Sequence, residues 1–186
     1  MREIALIDND FVQHLAEIKC EADREELVQS VFDAMNVTAK MHELVYKHEF
    51  MDINDARKFF DDGIFLIQSL KEIFGDDAAK ETYYGILISE LYKKKTGKEI
   101  STIGINDVLC DWVKKKSLGE YHSLAACLVG GYAIFLSDDR GSKSIVDIID
   151  ADYKKRVTVY SREEFVKQIE TGLVKRDARR VFAHKK

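Results

Sequence analysis

The 186-residue chain contains no proline, where about one residue in twenty is usual. Helices can therefore run uninterrupted, and turns must rest on Gly, Asn, Asp and Ser. The three cysteines, Cys20, Cys110 and Cys127, are far apart and odd in number. That argues against a disulfide framework and a CxxC metal site, and it predicts a reducing, cytoplasmic setting. No apolar run approaches the ~18–20 residues of a membrane span, so no membrane partner is expected. Ile4-Ala5-Leu6-Ile7 follows Met1-Arg2-Glu3 without a small-residue cleavage site, and reads as a first strand rather than a signal peptide. Nor is the chain basic. Its net charge of −4 does not mark the whole molecule as a nucleic-acid binder.

Hydrophobic residues make up 46% and charged residues 33%, a globular composition. The length predicts a single domain over residues 1–186, large enough to bury its own core. The charge is unevenly spread. From Lys154 to Lys186, eleven Lys and Arg stand against four Asp and Glu, a local +7 that leaves −11 on the rest. An acidic body with a basic segment can hold a metal in one place and phosphates in another; a solvated terminal helix is the plainer reading.

The apolar run Ile4–Ile7 suits a strand buried on both faces, and it ends in Asp8-Asn9-Asp10. Phe11–Lys19 reads as a helix or turn, and helices are expected over Glu25–Met35 and His42–Met51, with a short strand at Val37–Ala39. The middle reads as strongly helical, Asp55–Phe74 stopping at Gly75 and Asp77–Lys95 stopping at Gly97. A short helix at Asp107–Lys116 follows, then one opened by Ser117-Leu118-Gly119-Glu120 and ended by Gly130-Gly131. Strands follow at Tyr132–Leu136, before Ser137-Asp138-Asp139, and at Val157–Tyr160. Ser161 and Glu164 have the spacing of a capping box for a helix ending near Gly172, and Lys175–Ala183 reads as a last helix. Strands alternating with helices give an α/β class: a central parallel β-sheet flanked by helices, with an extra helical segment at about residues 55–95.

In open parallel sheets, ligands bind beyond the carboxyl ends of the strands. Asp8 follows the first strand, Asp138 and Asp139 follow a later one, and Glu120 opens the helix leading into it. If those strands are neighbours, the carboxylates converge. Such a group repels itself unless some members protonate or a divalent cation neutralises them. Oxygen ligands favour Mg²⁺ or Mn²⁺ over zinc. Each acid also has an ordinary use: Asp8 as an Asx-turn, Glu120 in a capping box with Ser117, Asp138 and Asp139 as helix caps.

The pattern resembles the PIN-domain nucleases. It runs from Ile4-Ala5-Leu6-Ile7-Asp8, through an acid early in the chain, to Gly119-Glu120 opening an Ala-rich helix and Ala133-Ile134-Phe135-Leu136-Ser137-Asp138-Asp139-Arg140. The resemblance covers roughly residues 3–50 and 115–165. It implies metal-dependent cleavage of RNA by Asp8, Glu43, Glu120 and Asp139, with Asp8, Glu120, Asp138 and Asp139 as the metal ligands. Glu49 can stand in for Glu43, and Asp10 is an additional acid. Ser137 would orient a ligand or a metal-bound water. Arg140, Arg176, Arg179 and Arg180 would bind substrate phosphates, with Lys93–Lys95 and Lys114–Lys116 as possible additions. The family also implies toxin–antitoxin pairing and homodimers, hence an antitoxin or a second copy as partner.

Two other readings compete. Asp8-Asn9-Asp10-Phe11-Val12 fits the Asp-x-Asp-x-Thr/Val pattern of haloacid-dehalogenase-like phosphatases, where the first Asp is a nucleophile and the second an acid/base. A PIN-like fold can also bind RNA or protein without cutting. His14, His42, His48, His122 and His184 lack metal-ligand spacing. Cys127 and Trp112 read as packing residues, and the apolar pairs of Asp77–Lys95 as packing or a surface for a partner helix.

Overall fold

The computed structural model describes residues 2–17, 24–99, 118–148, 153 and 155–168. The expected helices at Asp107–Lys116 and Lys175–Ala183, together with Ser117, Trp112, Lys114–Lys116, Arg176, Arg179 and Arg180, lie outside the described residues.

β1 (Glu3–Ile7) is the central strand. Ala5, Leu6 and Ile7 are fully buried, so both faces of this strand are covered, as its uninterrupted apolar run requires. Asp8 ends it and caps α1 (Asn9–Ala16), accepting from the Asn9 amide at 2.8 Å. α2 (Arg24–Ala34) leads to β2 (Val37–His42), which pairs in parallel with β1. α3 (Glu43–His48) follows at once.

The segment from Asp55 to Phe74 is not the expected helix. A 3-10 turn (Ile53–Asp55), α4 (Lys58–Asp61), β3 (Leu66–Gln68) and α5 (Leu70–Phe74) replace it. Gly63 breaks the helix by adopting φ +71°, a left-handed conformation that glycine accepts without strain. The chain then extends, and β3 adds to the sheet beside β2. The middle of the chain thus supplies a strand as well as helices.

α6 (Ala78–Thr96) is capped by Asp77, which accepts from the Ala79 amide at 2.9 Å, and it stops at Gly97 with φ +70°. α7 (Leu118–Gly130) is buried along its whole first three turns and packs against β1, β2 and β4 (Ile134–Leu136). α3, α5, α6 and α8 (Arg140–Ile148) gather around it. β5 (Thr158–Tyr160) and α9 (Arg162–Lys167) complete the described fold. The capping box forms: Glu164 accepts from the Ser161 amide at 2.9 Å, and Ser161 Oγ accepts from the Glu164 amide at 3.4 Å.

All neighbouring strands are parallel, in the order β3-β2-β1-β4-β5. The molecule is therefore α/β with a five-stranded parallel sheet flanked by helices. None of the described helices is long and apolar enough to cross a membrane.

Candidate functional site

Strand order runs outward in both directions from the β1–β4 pair. That pair marks the point where connections leave toward opposite edges, and the crevice beyond its carboxyl ends is where such sheets bind ligands. Asp8 continues β1, its amide donating to the Leu136 carbonyl at 2.9 Å, so β1 and β4 are held together up to the crevice itself.

Asp8 is 5% exposed. One oxygen caps α1; the other accepts from Ser137 Oγ at 3.1 Å. Ser137 is fully buried, lies 3.0 Å from Ser142 Oγ and accepts from the Asp139 amide at 3.2 Å. A hydroxyl has one proton to give. Ser137 gives it to Asp8, so Ser142 must be the donor between the two serines. Ser137 thus ties the end of β1 to the turn that carries Asp139. Asp139 accepts from the Gly141 amide at 2.7 Å and stands at the exposed mouth.

Glu120, in the first turn of α7, is 6% exposed, and its Oε2 is buried without a hydrogen-bond partner. The Gly119 amide donates to Glu49 Oε1 at 3.0 Å. A β-carbon at position 119 would fall 2.5 Å from Glu49 Oε2. The glycine before Glu120 is thus what admits a second carboxylate from α3.

Electrostatics show how closely these acids share the space. Burial, then the charges of Asp10, Glu120 and Glu49, pushes Asp8 well above the usual carboxylate range. Burial likewise raises Glu120 to about 8, with further upward contributions from the neighbouring Asp139 and Glu49 carboxylates. Asp10 rises to about 6, through burial and then Asp138, and its Oδ1 is buried without a hydrogen-bond partner.

Not every expected acid joins. Glu43 is turned to β3's side, where it accepts from the Leu70 amide at 2.9 Å and caps α5. Glu49 takes the place beside Glu120. Asp138 is committed elsewhere: one oxygen accepts from the Arg162 amide at 2.9 Å, the other from the Arg162 guanidinium and from His14 Nδ1, the latter at 2.8 Å. Arg140 is exposed at the start of α8. His14 and Arg162 were not singled out in the sequence. The available signal was that His14 lies four residues after Asp10, on the same helix face.

The donor set is all carboxylate, and one of its oxygens, Glu120 Oε2, is buried without a partner, which suits a hard divalent cation such as Mg²⁺ or Mn²⁺. As the side chains stand, no three His, Cys, Asp or Glu residues among those described have their donor atoms gathered tightly enough to grip an ion. Burial raises the Glu120 carboxyl to about 8, and a cation bound beside it would displace its proton.

No family model matches the chain. No curated protein or solved structure matches it either. The chemistry of the crevice therefore rests on its own residues.

A second buried polar cluster lies behind α7. His42, the last residue of β2, accepts from the Leu44 amide through Nδ1 at 3.1 Å. Its Nε2–H must then donate to Tyr84 Oη, 2.9 Å away, and Tyr84 donates to His122 Nδ1 at 2.6 Å. All three residues are fully buried. Burial drops His42 to about 3 and His122 well below its usual value, so both rings are neutral.

Proposed function

We propose that the chain is a divalent-metal-dependent nuclease that hydrolyses RNA phosphodiester bonds in the crevice beyond β1 and β4. The observation that carries this reading is Glu120 Oε2, buried and unpartnered, on the helix whose Gly119 holds Glu49, beside the β1–β4 ends that Asp8 and Ser137 tie together. Asp8, Glu49, Glu120 and Asp139 would hold Mg²⁺ or Mn²⁺. When bound, the cation lowers the pKa of its water and offsets charge developing on the phosphate.

The chain's own contribution is positional. Ser137 fixes Asp8 and the backbone of Asp139 at once. Gly119 fixes Glu49. Burial keeps Glu120 protonated near neutrality until a cation displaces the proton, so binding releases acid and tightens as pH rises toward 8. The choice of RNA, and an antitoxin or a second copy as partner, come from the resemblance to PIN-domain nucleases, and a cytoplasmic setting from the three scattered cysteines.

The test is incubation of the purified protein with a mixed RNA pool in Mn²⁺, with EDTA and Asp8→Asn and Glu120→Gln controls. Cleavage that needs the metal and both carboxylates is expected, each substitution lowering the rate by roughly 10²-fold or more. Hydrolysis of a phosphate monoester, lost on Asp10→Asn, would point to the phosphatase instead. A folded protein that neither binds Mn²⁺ nor cuts would leave a binding module.

A further inference from the structure

A polyanion entering this crevice meets several carboxylates. One resident cation can offset the charge of the phosphate under attack, but the flanking phosphates of the same strand still face a negative surface. The crevice therefore needs fixed positive charge beside it, and Asp138 holds one such group, the Arg162 guanidinium, together with the His14 imidazole.

Asp138 and Asp139 are adjacent in the chain but serve different neighbours. Asp139 faces Glu120, and Asp138 faces His14 and Arg162. Its Oδ2 accepts from both the Arg162 guanidinium and His14 Nδ1, and its Oδ1 accepts from the Arg162 amide. The side chains of Arg162 and His14 are 18% and 30% exposed, and Asp138 between them is 13% exposed. A guanidinium carries five N–H donors, and the contact with Asp138 uses its Nε. The terminal Nη groups of Arg162 and the Nε2 of His14 have no partner among the described residues. One buried carboxylate thus locks the near ends of two side chains and leaves their far ends available. His14 lies on the helix that Asp8 caps, Asp138 follows β4, and β4 pairs with β1, so the Asp138 contacts sit at the carboxyl ends of the two strands that open on the crevice.

We propose that Arg162 and His14, both anchored by Asp138, form a phosphate-binding subsite for an RNA phosphate next to the one being cleaved. This rests on the nuclease reading above. It assigns recognition to residues in the folded body of the chain, where the sequence pattern pointed to Arg140 and the C-terminal arginines. Asp138 is then a positioning residue. Its charge is balanced by Arg162, so the net gain on binding comes from the unpartnered Nη N–H groups of Arg162, and from His14 Nε2 only when the ring carries both protons.

The experiment compares wild type, Arg162→Gln and His14→Gln. Mn²⁺-dependent cleavage of a labelled single-stranded oligoribonucleotide gives KM and kcat. Fluorescence anisotropy with the same RNA in Ca²⁺, across a salt series, gives Kd. Arg162→Gln should raise Kd and KM about tenfold, leave kcat within about twofold, and reduce the salt slope by about one. His14→Gln keeps a donor for Asp138, and should raise KM several-fold with unaltered thermal stability. If either folded variant cleaves with unchanged KM and Kd, or loses kcat alone, the subsite is wrong and the nuclease reading stands. If wild type neither binds nor cuts RNA, both fall together.

Discussion

Two buried polar clusters end neighbouring strands of the sheet, and they are built on opposite terms. At the end of β2, His42, Tyr84 and His122 form a directed chain of neutral hydrogen bonds. At the end of β1, Asp8 and Glu120 crowd with other carboxylates, and Glu120 keeps an oxygen with no partner. α7 serves both. His122 and Glu120 are two residues apart, which on a helix turns them to opposite sides. A chain of neutral hydrogen bonds rigidifies a core, whereas crowded carboxylates with an unpartnered oxygen hold binding energy in reserve for a cation. The first cluster reads as the mount, and the second as the instrument mounted on it.

The comparison breaks most sharply at Tyr84. Tyr84→Phe leaves a buried imidazole N–H and a buried ring nitrogen facing a hydrocarbon edge, and should cost roughly 2–4 kcal/mol in urea denaturation. Metal affinity of the folded fraction should change little. An equal loss of both would mean that the network and the pocket are one unit.

The opposite substitution is Glu120→Gln. Raised carboxyls bind more protons in the folded than in the unfolded chain, so they remove stability as pH climbs from the ordinary carboxylate range to about 8. Depressed imidazoles do the reverse: His42 and His122 remove stability as pH falls from about 6.5 toward 3. The two limbs overlap between about pH 4.5 and 6.5, so the metal-free protein should lose stability above that window through its carboxyls and below it through its imidazoles. Glu120→Gln should flatten the alkaline limb and gain ~1–3 kcal/mol above pH 8, while Mn²⁺ binding is lost. Denaturation in EDTA from pH 5 to 9 reads this directly. Saturating Mn²⁺ should flatten the same limb in wild type, and an unchanged limb would count against a cation in the pocket.

The smallest effect on stability is expected at Gly119. Gly119→Ala improves helix propensity but pushes the Glu49 carboxylate aside. Stability should move by less than ~1 kcal/mol, and calorimetry should show Mn²⁺ binding about tenfold weaker. Unchanged affinity would remove Glu49 from the ligand set.

Much of this arrangement was legible in single residues. The apolar run into Asp8, the Gly119-Glu120 pair and the turn after Leu136 announced three corners of the crevice, because strand ends and helix starts leave local marks. β3 was hidden, because Phe59, Phe60, Ile64 and Phe65 satisfy a helical pattern until Gly63 breaks it. The choice of Glu49 over Glu43 was also hidden. Both lie in one short stretch, and only the packing of α3 against α7 brings one carboxylate to Gly119 while the other caps α5. The His42–Tyr84–His122 chain draws one residue from each of three distant segments, so no spacing rule could have found it.

Ser137 and Asp8 hydrogen bond across 129 positions of sequence. β1 is made first, yet its partner β4 is made only when three-quarters of the chain exists. During synthesis, therefore, Asp8 leaves the ribosome long before Glu120 and Asp139, and no truncated product ending before Leu136 contains both halves of the crevice. Whatever chemistry the pocket performs is withheld until the turn after Leu136 has been made, a delay written into the strand order itself.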